Sequence, residues 1–191
     1  MTQEGLLKAV TKRLGESEIP YMVTGAYGVI YYGRPRTSHD VDFVVEITQK
    51  EVPKFVHMFR KLARGDFLVQ EEAVYEAIEK RKMFNVIYQP TLDKLDFWIV
   101  KESDFDRESF ARRVAKRVLG QNMVLATAED TILQKLRWYS ISKQEKHLID
   151  AAFVWQCQKS LDKSYLKKWA EKLKIEKYLS EIKKINLADY Y

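Results

Sequence analysis

Near the start of the chain, Leu6, Leu7, Val10 and Leu14 recur at helical spacing among polar residues, which predicts an amphipathic helix over residues 2–15. The period then shortens. YMVTG (21–25) predicts a short strand, and AYGVIYYG (26–33) continues from it into a short helix with Gly25 at the turn. VDFVVEI (41–47) predicts a second strand, KEVPKFVHMFRKLA (50–63) a helix able to cover one sheet face, FLVQ a short strand, and EEAVYEAIEKRK (71–82) another helix. FNVIYQ (84–89) and KLDFWIV (94–100) are strand-like, and PTLD between them marks a hairpin turn. DRESFARRV predicts a short helix and KRVLGQNMVLA a second hairpin. After Thr127 everything reads helical, starting from Thr127 and Asp130 in a capping-box-like arrangement.

Strands mixed with helices, followed by helices alone, predict an α/β (α+β) fold: a mixed β-sheet flanked by helices over residues 1–125 and a helical C-terminal region over 126–191. The 191 residues suffice for one sizeable core, or for one domain with a helical appendage. With 46% hydrophobic and 31% charged residues the chain is not disordered, and the single Cys157 excludes both a disulfide framework and a zinc-ribbon cluster. No apolar run approaches the ~20 residues that cross a bilayer, and MTQEGLLKAVTKRLGE lacks a signal-peptide core, so a cytoplasmic protein is expected.

The net charge of +6 is unevenly placed: residues 159–184 hold nine lysines against four acids. There Leu161, Tyr165, Trp169 and Leu173 make a packing face, and the lysines face water. Together with Arg107, Arg112, Arg113, Lys116 and Arg117 they would also suit an RNA backbone.

The candidate chemistry starts at TSHDVDFVV (37–45). A strand turns successive side chains to opposite faces, so Asp40 and Asp42 point the same way, with carboxylates close enough to share a cation. Two adjacent acids repel unless something positive sits between them, and a divalent metal is the usual answer. A solvated, acidic strand start is the plainer alternative. Because these acids precede their apolar strand, phosphatase and sugar-transferase readings of D-x-D lose weight.

Gly25, Gly28 and Gly33 come before the pair, with Arg34, Arg36, Thr37 and Ser38. Glycine at a strand-to-helix turn lets backbone amides approach a phosphate. The spacing is neither the dinucleotide fingerprint nor the P-loop. Glycines and acid pair together suggest a triphosphate held by amides, with its metal held by carboxylates. A third acid is then needed, and Asp96 is the best candidate, because it interrupts the apolar strand KLDFWIV on the face it shares with Trp98. If that strand neighbours VDFVVEI, Asp96 points toward Asp40 and Asp42. Three carboxylates can hold two divalent ions about 3.5 to 4 Å apart. A partly exposed acid on a solvated sheet face is the alternative.

Strand, G-A, short helix, G-R-P-R-T-S-H-D-V-D, apolar strand, hairpin and K-L-D, in this order from about Tyr21 through Trp155, resemble the DNA polymerase β nucleotidyltransferase superfamily, most closely the minimal nucleotidyltransferases related to AbiEii abortive-infection toxins. The resemblance implies that Gly25 binds nucleotide phosphates, with Ala26 where glycine or serine is usual. Arg36, Ser38 (or Thr37), Asp40 and Asp42 match its Arg-x-[Thr/Ser]-x-Asp-x-Asp element, and Asp96 its third acid. ATAEDTILQKLRWYS resembles the helix that brings a lysine, here Lys135, toward the nucleotide. KHLIDAAFVW matches the following acidic motif in part: Asp150 fits and would orient Lys135, while His147 stands where Asp is common.

The implied activity is transfer of a nucleoside monophosphate from an NTP to a hydroxyl acceptor. Asp40, Asp42 and Asp96 would hold Mg²⁺ or Mn²⁺, and Gly25, Ala26, Arg36, Ser38 and Lys135 would contact the nucleotide. The acceptor itself stays open between RNA, a small molecule and a protein side chain, and an antitoxin protein is a candidate partner. Ala26 and His147 also fit a catalytically silent nucleotide- or partner-binding module of the same fold.

Overall fold

The computed structural model describes residues 1–38 and 40–190; His39 of the TSHDVDFVV motif and Tyr191 lie outside the described residues. The chain divides into two compact units, Met1–Ala26 with Ser38–Leu125, and Tyr27–Thr37 with Ala126–Tyr191.

The first unit contains α1 (Gln3–Glu16), β1 (Tyr21–Val23), the start of α2 (Gly25–Tyr32), β2 (Asp40–Val45), α3 (Val52–Lys61), β3 (Phe67–Val69), α4 (Glu71–Lys80), β4 (Met83–Tyr88), β5 (Asp93–Ile99), α5 (Asp104–Ala111), β6 (Val114–Val118) and β7 (Gln121–Leu125). Its seven strands form one mixed sheet in the order β3-β4-β5-β2-β1-β7-β6. The pairs β2–β5 and β1–β7 are parallel. The other neighbours are antiparallel, including the two hairpins β4–β5 and β6–β7. The expected mixed sheet flanked by helices is the fold observed.

Alternation along β2 and β5 explains where their acids go. Val41, Phe43 and Val45 alternate with Asp40, Asp42 and Val44, and Leu95, Phe97 and Ile99 alternate with Lys94, Asp96 and Trp98. The apolar sets are fully buried on one face. Phe43 stacks on Phe97 at 4.8 Å between ring centroids, and α3 adds Phe55 and Phe59 at 5.3 and 5.7 Å from Phe97. Burying each such ring contributes about 1.5–3 kcal/mol. A one-residue slip of either strand would turn a carboxylate into this aromatic core, so the packing fixes the register and leaves the acids on the opposite face.

The second unit contains the rest of α2 with α6 (Ala128–Ser142), α7 (Glu145–Cys157), α8 (Lys163–Lys172) and α9 (Glu176–Glu181). Thr127 caps α6: its Oγ1 accepts from the Asp130 amide at 3.1 Å and donates to the Asp130 carboxylate at 2.6 Å. Residues 27–37, read from the sequence with the first 125, group instead with these helices. Missing side chains allow it: a Cβ on Gly28 would lie 3.0 Å from Thr131 Oγ1, and one on Gly33 would lie 3.1 Å from the Val154 amide nitrogen. Arg34 adds its guanidinium 4.1 Å above the Phe153 ring. Among the described residues no helix is long and apolar enough to cross a membrane.

Candidate functional site

On the polar face of the sheet, three side chains lie side by side on neighbouring strands. Asp42 of β2 is directly opposite Asp96 of β5, which is directly opposite Asn85 of β4. Cross-strand partners share a face, so the two carboxylates and the amide form one row. Asp40 stands two residues before Asp42 on the same face, opposite Lys94. Asn85 Nδ2 donates to Asp96 Oδ1. Burial pushes the Asp96 carboxyl above the usual carboxylate range; the Asn85 hydrogen bond opposes this, Asp40 adds to it, and Lys94 opposes it. A carboxylate in this position gains from a cation and is a ready proton acceptor.

Next to this row the chain makes the turn expected at Gly25. Thr24 donates its amide to the Asp42 carbonyl at 3.0 Å, which ties the end of β1 to the acid strand. Gly25 has φ of +63°, and a Cβ built on it would collide with the Asp42 carboxylate. Only glycine satisfies both conditions. α2 begins at Gly25 with no acidic residue in its first turn, so its first amides, those of Gly25 and Ala26, form a helix N-terminus favourable to an anion. The Ser38 hydroxyl donates to the Asp40 carbonyl at 3.0 Å and shapes the entry into β2.

In the helical unit a different charge cluster is built on Asp150. Its carboxylate is 2% exposed and accepts from Lys135 Nζ at 2.9 Å and from Arg36 at 3.1 Å. Arg36 also donates to the Thr37 carbonyl at 3.0 Å. One buried anion thus holds two cations, leaving a charge of +1. His147, one turn before Asp150, has its basicity lowered to about 4: burial acts first, Lys135 and Lys146 add to it, Asp150 opposes and Arg36 adds. The ring is therefore neutral at pH 7 and supplies no negative charge where an Asp is common.

The structure brings Asp42 and Asp96 into one row, with Asp40 on the same face and Gly25 against Asp42. It holds Lys135 and Arg36 on Asp150, the ion pair by which Asp150 would orient Lys135. Asn85 was not anticipated. Its only signal is a short amide at an outward position of FNVIYQ, which acquires meaning once that strand's register with KLDFWIV is known. The donors in the row are hard oxygens, which suit Mg²⁺ or Mn²⁺ better than soft metals. Among the described residues no three His, Cys, Asp or Glu side chains form a group that could hold a metal ion as they stand.

No family model matches the chain, and no curated protein matches it in sequence. Solved structures do match in fold. An antigenic nucleotidyltransferase-like protein from Paracoccidioides brasiliensis is similar with a TM-score of 0.62 and 16% identity over 94% of this chain and 91% of that one. ANT(2'')-Ia, in complex with adenylyl-2''-tobramycin, gives a TM-score of 0.60 and 12% identity over 91% of this chain and 98% of that one. The lincosamide antibiotic adenylyltransferase LnuA, with lincomycin bound, gives 0.55 and 11% over 83% and 99%. The fold is that of nucleotidyltransferases; these likenesses do not bear on the toxin subgroup.

Proposed function

We propose that the chain transfers a nucleoside monophosphate from an NTP to a hydroxyl group. The observation that carries this reading is the cross-strand row of Asp42 and Asp96, with the Asp42 carboxylate packed where any side chain on Gly25 would stand. A triphosphate laid on the amides of Gly25 and Ala26 has its reacting end beside carboxylates. The acceptor oxygen attacks the α-phosphorus, the bond to the oxygen bridging α and β breaks, pyrophosphate leaves, and the acceptor's proton passes to Asp96. A divalent cation held by Asp40, Asp42 and Asp96 would neutralise phosphate charge during this displacement. An NTP donor suits the cytoplasm.

RNA as acceptor and an antitoxin as partner rest on the toxin resemblance and on the lysines of 159–184. The adenylylated tobramycin of ANT(2'')-Ia and the lincomycin of LnuA favour a small hydroxyl compound for this chain instead. The deciding experiment follows label from each α-labelled NTP, with Mg²⁺, into RNA, protein and small-molecule pools, for wild type and Asp42→Asn. Label that vanishes in the variant identifies the acceptor pool. NTP binding without pyrophosphate release would support the silent binding module and refute transfer.

A further inference from the structure

Beside the row, on the far side of Asn85, lies a cavity of about 310 Å³ between α4 and the sheet edge. It lies at the small end of ligand pockets, which run from ~300 to ~1,000 Å³. Met83, Asn85 and Ile87 line it from alternate positions of β4, Leu68 from β3, Gln70 from the step between β3 and α4, and Ala73 from α4. β3 pairs only with residues 86–88 of β4, so the outer edge of residues 83–85 has no described strand beside it and opens to the cavity. Two side-chain amides, a stretch of strand edge and the charged Glu76 and Lys82 thus surround a volume floored by apolar groups. Apolar floor and polar rim together match a molecule with hydroxyls around a compact body.

We infer that this cavity holds the body of the acceptor, a neutral or anionic hydroxyl compound about one sugar ring in size, and presents its hydroxyl to Asp96 past Asn85. The inference rests on the nucleotidyl-transfer reading. Asn85 both lines the cavity and hydrogen-bonds Asp96, so a ligand seated there lies one side chain from the row. The charge preference follows from the rim. Glu76 is paired with Lys80 at 2.7 Å, whereas Lys82 has no ion pair among the described residues. The unpaired lysine disfavours a polycation such as an aminoglycoside, and the volume matches a single ring.

The test uses the full-length protein and three one-ring probes: methyl β-D-glucoside, D-glucuronate and D-glucosamine. Backbone amide shifts at Leu68, Gln70 and Asn85 are followed by NMR, and pyrophosphate release from ATP is measured with each probe. The glucoside and glucuronate should shift these amides and raise pyrophosphate release at least about five-fold, with glucosamine weakest. Ala73→Trp should abolish the shifts and Gln70→Ala should weaken binding at least about ten-fold. Gln70→Ala decides alone if Ala73→Trp does not fold. Absent shifts with all three probes, glucosamine binding tightest, shifts indifferent to the variants, or binding without a rise in pyrophosphate each overturn the inference. Asp42→Asn should lose pyrophosphate release and keep the shifts. If wild type binds a sugar but releases pyrophosphate from no NTP, with or without it, the transfer reading itself has failed.

Discussion

Acids are satisfied in opposite ways in the two units. In the helical unit Asp150 is enclosed, and both Lys135 and Arg36 point at it, so the carboxylate is neutralised by groups the fold already supplies. On the sheet face Asp96 is partly buried beside other carboxylates, takes one amide hydrogen bond from Asn85, and is pushed up by burial and by Asp40. Removing Asp150 should therefore damage the structure, because two cations lose their anion. Removing a sheet-face acid relieves repulsion and should damage only function. One arrangement holds a fold together; the other, on the proposed function, meets a ligand.

The sharpest test of this contrast is Asp42→Asn, which should lower nucleotidyl transfer at least about 10³-fold, as expected when transition-state charge loses its counterpart. Its melting temperature should equal or exceed wild type. Asp150→Ala should do the reverse, lowering stability by about 3 kcal/mol in chemical denaturation, the usual scale for a broken buried pair. An equally stable Asp150→Ala protein would dissolve the distinction. Asn85→Ala should lower kcat by roughly ten-fold with KM for NTP unchanged, since outer partners of ligating groups commonly act at that scale. The smallest effect belongs to His147. Its folded-state basicity lies below the unfolded value of 6.5, so the unfolded chain binds the extra proton and stability falls as pH drops from about 6.5 to about 4. His147→Gln should flatten that limb of a stability-against-pH curve.

The strand period made Asp96 conspicuous, because an acid inside KLDFWIV has to face away from Phe97 and its neighbours. It did not show which strand lies alongside. Pairing of β2 with β5 joins segments separated by two helices and two strands, and that choice is made by Phe43, Phe55, Phe59 and Phe97 packing together, a property of the assembled core. Asn85 was illegible for the same reason. Gly25 could be placed at a turn from its neighbours, but the Asp42 carboxylate that leaves no room for a Cβ there comes from a strand that starts fifteen residues on. Residues 27–37 read as part of the first 125 because chain order is all a sequence shows, whereas Gly28 and Gly33 fit against Thr131 and Val154 far downstream.

The parallel pairing of β2 with β5 also has a temporal meaning. Asp42 and Asp96 cannot meet until residues 43–95 have been made, folded into α3, β3, α4 and β4, and brought back beside β2. Contacts of such wide separation close late, after local helices and hairpins have formed. On the proposed function, the competence to cleave a triphosphate is thus among the last properties the first unit acquires, and a half-folded chain would be inert toward nucleotides.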